Sequence, residues 1–340
     1  MDKSKALIKS LCNSIATKDE LLSLDTYLHA ATSDNTRRAY RQDIRHFMRW
    51  GGLLPTTSDI IVRYLQEHAA SLNPRTLIRR LTALKNWHTY QGFSDPTVHP
   101  LIRKTLTGIQ HIHGKPKEKA AAITLEQLEQ MATYLSQEPE DLFDLRNNAL
   151  LQVGFFGAFR RSELISIQWE NITFVPEGME ILIPRSKTDQ LGEGQTCAIP
   201  YGDDILCPVT ALKTWCEKAN IQSGFVFRSI DRYGNVNLAS LSTQSVNLII
   251  KTVAEKCYIP NAADFSSHSL RRGFATSASR KGAPFVSIMR QGRWRHEGTV
   301  LGYIEEGQRF EENAASLMLK KDAQPPDKHE NIIKYGQEEK

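Results

Sequence analysis

The chain has 340 residues, of which 40% are hydrophobic and 24% charged, with a net charge of +5; this composition is typical of globular proteins with a sizeable core. No apolar run reaches the roughly 18–20 residues of a membrane-spanning helix, and the first residues lack the apolar stretch of a secretory signal. The five cysteines are scattered without a Cys-x-x-Cys pair, which argues against a disulfide framework and a zinc cluster and favours a reducing cytosol.

The front part of the chain is predicted to contain helices only. Segment 35–50 repeats apolar residues at helical spacing, and Ser33 or Asp34 is suited to cap it. A second helix is expected after Thr57 and a third over 74–91, where a proline occupies the first turn. No alternation typical of strands interrupts this pattern.

Positive charge is concentrated in the first 119 residues, which hold 19 Lys and Arg against 10 Asp and Glu, whereas the rest carries a net charge of −4. A basic front half is typical of a nucleic-acid clamp, and a solvated basic face fits the charge equally well. Gly114, Pro116 and three lysines then break the helical pattern and predict a linker. The predicted division is a helical domain over 1–110, a linker over 111–122, a second domain over 123–321 and a polar tail over 322–340.

The second domain is predicted to be mainly helical with one small antiparallel sheet. Thr124 and Gln127 form a capping-box pattern at its first helix. Strands are expected at 172–175, 181–184 and 195–199. Helices are expected over 142–156, after residue 208, over 241–256 and from about residue 268 onward.

Five short motifs in the second domain carry side chains suited to chemistry. They are GAFRRSEL at 157–164, RSKT at 185–188, HSLR at 268–271, GRW at 292–294 and GYI at 302–304. Each alone has an ordinary structural explanation, such as an intrahelical ion pair, a solvated hairpin lysine or a half-buried helix tyrosine. Their joint order and spacing are far more specific.

In this order the motifs resemble those of the tyrosine recombinases, the phage-integrase family, and in particular its Cre-like and Xer-like simple recombinases. The resemblance extends from about residue 20 to residue 320. It implies a mainly α fold with a small antiparallel β-sheet, in which an all-helical core-binding domain precedes a catalytic domain. It also implies a site-specific recombinase that cuts and rejoins DNA through a 3′-phosphotyrosine intermediate, without metal, ATP or another cofactor, in integration, excision or resolution.

The resemblance implies a catalytic set that comprises Arg160, Lys187, His268, Arg271, Trp294 and Tyr303. Arg160 is preferred over Arg161 because Glu163 follows it three residues on, and Arg272 is out of register. Trp294 lies nine residues before the tyrosine, where most members have His and a minority have Trp.

These residue types suit attack on a phosphodiester. Arg160 and Arg271 remain ionised and can grip phosphate oxygens as charge develops on them. Tyr303 is the expected nucleophile, with His268 accepting its proton and Lys187 protonating the leaving 5′-oxygen.

Three other side chains have supporting or rival assignments. Trp294 is expected to offer its indole N–H to a phosphate oxygen and to buttress the tyrosine helix. Glu163 is expected to hold His268 or the arginines in place. Tyr335, in the polar tail, is a rival nucleophile without an apolar helix to position it.

The basic front domain is expected to supply phosphate contacts to double-stranded DNA. The candidates are Arg37, Arg38, Arg41, Arg75, Arg79, Arg80 and Lys85. The resemblance implies a C-shaped clamp whose linker crosses the duplex with Lys115, Lys117 and Lys119, and a solvated linker is the alternative.

Assembly is predicted from an apolar stripe beyond the catalytic residues, formed by Phe310, Ala314, Leu317 and Met318. The family donates such a helix to a neighbouring protomer, which implies a homodimer on each inverted-repeat site and a homotetramer at synapsis. The segment of about 20 residues before the first helical domain is expected to be too short for the extra arm-binding domain of lambda-like integrases, which favours a simple recombinase with short inverted-repeat sites. The expected place of action is the cytoplasm, at the nucleoid, with no membrane partner.

Two other functions would use the same residues. A type-IB-topoisomerase-like relaxing enzyme would share the chemistry without synapsis, and the apolar stripe argues against it. A catalytically silent DNA-binding regulator on the same fold would be favoured by a missing arginine, histidine or tyrosine, and none is missing.

Overall fold

The structure is a computed structural model that describes residues 31–116, 120–138, 140–184 and 194–307, together with Ala315 and Met318. The described residues form two compact units. The front unit comprises the residues up to 116, and the second unit comprises those from 120 onward. Within these residues, no helix has the length and apolar content that crossing a bilayer requires.

Four α-helices build the described part of the front unit: α1 (Asp34–Trp50), α2 (Ser58–His68), α3 (Pro74–Gln91) and α4 (Pro100–His113). Their starts follow local capping chemistry. Ser33 accepts a hydrogen bond from the Thr36 backbone and caps α1, and Asn73 caps α3 one residue before the expected proline. The three helices predicted in this unit are therefore confirmed. The helical domain was predicted to end at residue 110, whereas α4 continues to His113. The first three residues of the predicted linker are helical, because the helix ends only at Gly114.

The core of the front unit is mainly apolar, and Asp43, Thr56 and His88 are the buried polar residues among its described residues. Its largest members are Phe47, Tyr64, Leu77, Leu84 and Ile102, all 1% exposed or less. The packing of α1, α2, α3 and α4 buries Phe47 of the apolar stripe predicted for α1, whereas Met48, predicted on the same stripe, is 54% exposed.

A buried ion pair joins α1 to α3. Asp43, whose side chain is 2% exposed, accepts two hydrogen bonds of 2.8 Å from Arg79 and lies 3.5 Å from Arg80. Arg80 is 11% exposed and donates a further bond of 2.8 Å to the hydroxyl of Tyr64. Of the expected DNA contacts, Arg80 is therefore engaged in the core, and Arg79 presents only part of its guanidinium to solvent.

The second unit contains eight helices and five strands among its described residues. The helices are α5 (Leu125–Leu135), α6 (Leu142–Phe156), α7 (Arg161–Ile165), α8 (Pro208–Lys218), α9 (Thr243–Lys256), α10 (Ser267–Arg280), α11 (Phe285–Gly292) and α12 (Glu297–Gly307). The strands are β1 (Ile172–Val175), β2 (Gly178–Ile183), β3 (Gln195–Pro200), β4 (Arg228–Ile230) and β5 (Val236–Ser240). This composition confirms the predicted mainly α class.

The first three strands form an antiparallel sheet in the order β1-β2-β3. Val175 pairs with Gly178, so the first turn is only two residues long and β2 begins three residues before its predicted start. The second sheet, the β4–β5 hairpin, was not predicted. Its strands are short and lack apolar alternation, and the carboxylate of Asp231 holds the turn by bonding the backbone of Tyr233 and Asn235.

Helix α6 lies at the centre of the second unit. It packs against α5, α8 and α10, and its residues from Ala149 to Phe155 are buried. Helix α10 in turn packs against α11 and α12. The C-terminal end of α6, the start of α7 and the N-terminal half of α10 are thereby brought together, and these segments carry two of the five motifs, those at 157–164 and 268–271.

We predict that Asp43→Ala destabilises the front unit by about 3 kcal/mol, because it leaves Arg80 buried without its carboxylate. The measurement is the free energy of unfolding of α1 and α3, obtained from native-state hydrogen exchange, which reports on each unit separately. Asp34→Ala, on the exposed first turn of the same helix, should cost less than about 1 kcal/mol. Equal effects of the two substitutions would contradict the structural role of the buried pair.

Candidate active site

The Arg160 motif forms the turn between α6 and α7. Arg160 is the N-cap residue of α7, and Glu163 reaches back to it from the third helical position. The Glu163 carboxylate accepts the Arg160 backbone N–H at 3.0 Å and its guanidinium Nη1 at 2.6 Å. Arg160 remains one-fifth exposed, so one end of its guanidinium is anchored while the side chain still reaches the surface.

Glu163 also holds a second arginine, which the sequence analysis missed. Nη2 of Arg293 lies 3.4 Å from the Glu163 carboxylate and donates to the carbonyl of Gly157 at 3.0 Å. The Arg293 guanidinium also covers the ring of Phe159 at 4.7 Å. Burial alone would raise the pKa of Glu163, but the hydrogen bonds from Arg160 and the charge of Arg293 outweigh it, so the pKa is lowered and the acid stays ionised.

Arg271 lies on α10 and is 3% exposed. Its Nη1 donates to the carbonyl of Ala158, and its guanidinium covers the ring of Trp294 at 4.2 Å. Among the described residues its Nη2 has no hydrogen-bond partner. Burial, and next the charge of Arg160, lower the pKa of Arg271 to about 9, so it is still a cation at neutral pH.

His268 occupies the second position of α10, and its side chain is exposed. Ser266 caps the helix by accepting the His268 backbone N–H at 3.3 Å. The spacing of three residues places His268 and Arg271 on the same side of α10.

Trp294 and Tyr303 form an edge-to-face aromatic pair, with ring centroids 6.3 Å apart. Trp294 packs in a small apolar cluster with Ala275 and Ile288, whereas Tyr303 is half-buried on α12. The first residue of the GRW motif, Gly292, has to be glycine, because a Cβ at that position would collide with the indole ring of Trp294.

Arg272, which the sequence analysis left out of register, contacts the same aromatic pair. Its guanidinium lies over the ring of Tyr303 at 5.5 Å and donates to the carbonyl of Ala120. Consecutive arginines of α10 thus contact the two members of the pair. No local signal identified this contact, because Ala120 lies 152 residues earlier in the chain.

Several predicted residues lie outside the described part of the chain. They are Lys187, Phe310, Ala314, Leu317, Tyr335, Lys117 and Lys119. Lys187 follows Pro184, the last described residue after β2, and Gly194 is the next described residue before β3. Met318 is described and is 81% exposed.

The front unit carries the other predicted contacts. Arg38, Arg41, Arg75 and Lys85 are exposed, whereas Arg37 is half-buried and bonds Asp34. On α1, two further exposed arginines, Arg45 and Arg49, continue the line of Arg38 and Arg41 at helical spacing.

The second unit therefore gathers three guanidinium groups around one carboxylate, next to an aromatic pair that includes a half-buried phenol. Such a site attracts an oxyanion, because the positive charge of Arg160, Arg271 and Arg293 exceeds what Glu163 neutralises. Within the described residues, no group of His, Cys, Asp and Glu side chains is arranged to hold a metal ion.

The sequence is similar to those of known integrases and recombinases. The sequence model described as "Phage integrase family" matches residues 121–309. An integrase/recombinase xerD homolog of Selenomonas ruminantium is 38% identical over 320 residues, covering 91% of this chain and 93% of the relative. Tyrosine recombinase XerC of Xylella fastidiosa (strain M23) is 23% identical over 264 residues, covering 74% of this chain and 79% of the relative.

The fold is also shared with solved recombinase structures. The XerH site-specific recombinase bound to palindromic difH substrate, in a post-cleavage complex, gives a TM-score of 0.59 at 15% identity and covers 83% of this chain and 80% of that one. The Tn1549 transposon integrase with a circular intermediate DNA gives 0.56 at 12% identity, covering 80% and 90%. The match of the family model to more than half of the chain, together with the relative at 38% identity, shows that this chain belongs to the phage integrase family, the tyrosine recombinases.

Proposed function

We propose that this tyrosine recombinase cuts and rejoins DNA at specific sites by attack of Tyr303 on a phosphodiester. The observation that supports this most directly is the edge-to-face contact between Tyr303 and Trp294. The guanidinium of Arg271 covers the same indole, and its Nη2 has no hydrogen-bond partner among the described residues, so an anion bound by Arg271 would lie beside the phenol. The proposed oxyanion-binding residue, Arg271, and the proposed nucleophile, Tyr303, therefore both contact Trp294.

In the proposed reaction, the phenol oxygen of Tyr303 bonds to phosphorus as the bond to the 5′-oxygen breaks. The products are a 3′-phosphotyrosyl enzyme and a free 5′-hydroxyl, and the ester retains the energy needed for rejoining, so no ATP is required. Attack by a 5′-hydroxyl on the phosphotyrosine reverses the step and restores the phenol.

The two arginines of the proposed clamp act on the non-bridging oxygens. These oxygens gain charge in the transition state, and preorganised guanidinium donors stabilise that charge without reorganising. Glu163 anchors one nitrogen of Arg160 and leaves the rest of the fork for substrate. Arg271 is anchored by the carbonyl of Ala158 and carries the unpaired nitrogen.

Proton transfer is assigned to two further residues. We propose that His268, exposed at the start of α10, accepts or relays the phenol proton, and that Lys187 protonates the leaving 5′-oxygen. The indole N–H of Trp294 is the proposed third donor to the phosphate. Unlike a histidine, it stays protonated throughout and therefore acts only as a donor.

DNA contacts are proposed for the exposed cations of the front unit. The set is Arg38, Arg41, Arg75 and Lys85, with Arg37 and Arg79 as partly engaged members and Arg45 and Arg49 as additions. We assign Arg80 to the core of the front unit rather than to DNA, because its guanidinium bonds Tyr64 and Asp43. Charge–phosphate contacts of this kind make binding strongly dependent on salt.

The proposed substrate is double-stranded DNA with inverted-repeat sites, bound by a homodimer at each site and by a homotetramer at synapsis. In support, the XerH structure contains a palindromic substrate, and a lambda integrase of the same fold, with a TM-score of 0.54, is a dimer on its core site. Such a substrate would be met at the nucleoid, in the cytoplasm. A silent DNA-binding regulator is not favoured, since the full set of motif residues is present.

We predict that Tyr303→Phe forms no covalent adduct with DNA and binds the same DNA within about twofold of the unchanged protein, because only the nucleophilic oxygen is lost. The probe is a nicked suicide duplex that carries the inverted repeat recovered by the full chain from a randomised DNA pool. The readout is a denaturing gel with mapping of the phosphotyrosyl peptide. Tyr258→Phe, at a 93% exposed tyrosine of the same unit, is the matched control and should react normally. An adduct mapped to Tyr335 would refute the proposal.

We predict that Arg160→Ala lowers the rate of adduct formation by about 10²–10³-fold, because a donor to the developing charge is lost. Arg161→Ala, at the neighbouring residue, should change the rate by less than about threefold, because the guanidinium that Glu163 holds is that of Arg160. Single-turnover cleavage with saturating protein measures both. Equal losses in the two variants would show that the register assigned to this motif is wrong.

A further inference from the structure

Two consecutive arginines of α10 cover the two rings of the aromatic pair. Arg271 lies 4.2 Å from the centre of the Trp294 ring, and Arg272 lies 5.5 Å from the centre of the Tyr303 ring. Of these two arginines the proposed clamp uses Arg271 and not Arg272, so the function of Arg272 is not accounted for. Arg272 is 8% exposed, so it is buried beside the ring rather than extended into solvent.

The anchor of Arg272 is a fixed piece of backbone. Its guanidinium donates to the carbonyl of Ala120, the first described residue of the second unit. Residues 120–123, which we call the entry segment, lie tightly along α10. The N–H of Ile123 donates to the carbonyl of Ser269 at 3.1 Å, and a Cβ at Gly273 would collide with the carbonyl of Ile123.

The backbone of the tyrosine helix is held on α10 by other groups. The hydroxyl of Thr276 donates to the carbonyl of Tyr303 at 3.2 Å, and Arg280 donates to the carbonyl of Gly307 at 2.6 Å. These bonds fix where α12 lies but leave the torsions of the phenol side chain free. The ring is constrained by its contacts with Trp294 on one side and with Arg272 on another.

We propose that Arg272 is a positioning residue that fixes the Tyr303 ring for attack, with the entry segment as its anchor. The inference rests on the proposed function of Tyr303. A planar guanidinium can lie over an aromatic ring while its edge donates to a carbonyl, whereas a lysine ammonium cannot offer a flat face and an edge together. Arginine is therefore the side chain that makes both contacts at once.

The test compares Arg272→Met and Arg272→Lys with the unchanged protein in single-turnover cleavage of the nicked suicide duplex. Arg272→Met keeps the apolar stem, so DNA affinity and melting temperature should stay close to those of the unchanged protein. Its rate of adduct formation should fall between about 5- and 100-fold, because a misplaced nucleophile reacts slowly. Arg272→Lys should recover only part of this loss.

A second measurement needs no DNA. Hydroxyl-radical labelling of the protein alone should modify Tyr303 about twofold or more faster in Arg272→Met, with labelling of the exposed Tyr258 unchanged as the internal reference. Arg232→Met is the matched control, because Arg232 also covers a tyrosine ring, that of Tyr233 at 4.7 Å, but on the β4–β5 turn. It should alter neither cleavage nor Tyr303 labelling.

The outcomes separate two claims, that Arg272 positions the Tyr303 ring and that this contact speeds the attack on DNA. Unchanged labelling of Tyr303 overturns the positioning contact whatever the cleavage results are. Increased labelling with a normal adduct rate overturns the effect on attack. A joint loss of DNA binding and thermal stability shows that Arg272 merely supports the fold. If Tyr303 labelling increases in Arg272→Met as expected, but the unchanged protein forms no adduct at Tyr303, the proposed function is refuted instead. The role of Arg272 in attack is then refuted with it.

Discussion

One buried carboxylate is shared by more positive charge than it can neutralise, and the arrangement of the second unit depends on this imbalance. Glu163 bonds Arg160 and Arg293, while Arg271 lies close by with one guanidinium nitrogen that has no partner in the part of the chain that the structure describes. In a protein interior, an uncompensated guanidinium is costly unless an anion or fixed dipoles surround it. Backbone carbonyls of the turn after α6 supply part of that compensation, because Arg293 bonds Gly157 and Arg271 bonds Ala158. In the proposed function, the remaining positive charge binds a phosphodiester.

Helix α10 organises the rest of the site. Its first turn carries His268, its second turn carries two arginines, and its later turns hold the tyrosine helix through Thr276 and Arg280. A single rigid element therefore sets the distance between the anion-binding group and the phenol. Because α10 also packs on the buried α6, that distance is fixed by the core of the unit and not by surface loops.

What could be predicted from the sequence was local. Ser33 and the Thr124–Gln127 capping box were identifiable because their partners lie three residues away, and Glu163 identified Arg160 for the same reason. Arg293 was missed because its carboxylate lies 130 residues earlier in the chain. The same limit explains why Arg80, which bonds groups on other helices, was counted among the exposed cations. The β4–β5 hairpin was missed because its short strands bear no periodic signal, so that only tertiary packing defines them.

The Asp43 ion pair has a consequence for how the front unit can change. Two neighbouring arginines of α3 contact Asp43 but differ in exposure. The Arg80 side chain is 11% exposed and points into the core, whereas the Arg79 side chain is 51% exposed. The other exposed side chains of α1 and α3 are expected to contribute little to folding. The Asp43 ion pair joins the two helices, so exposed residues of α1 and α3 other than Arg79, which makes two of its bonds, can vary without loss of this contact. The front unit is thereby tolerant of sequence change at the surface, because libraries confined to its other exposed positions would leave the helical framework intact.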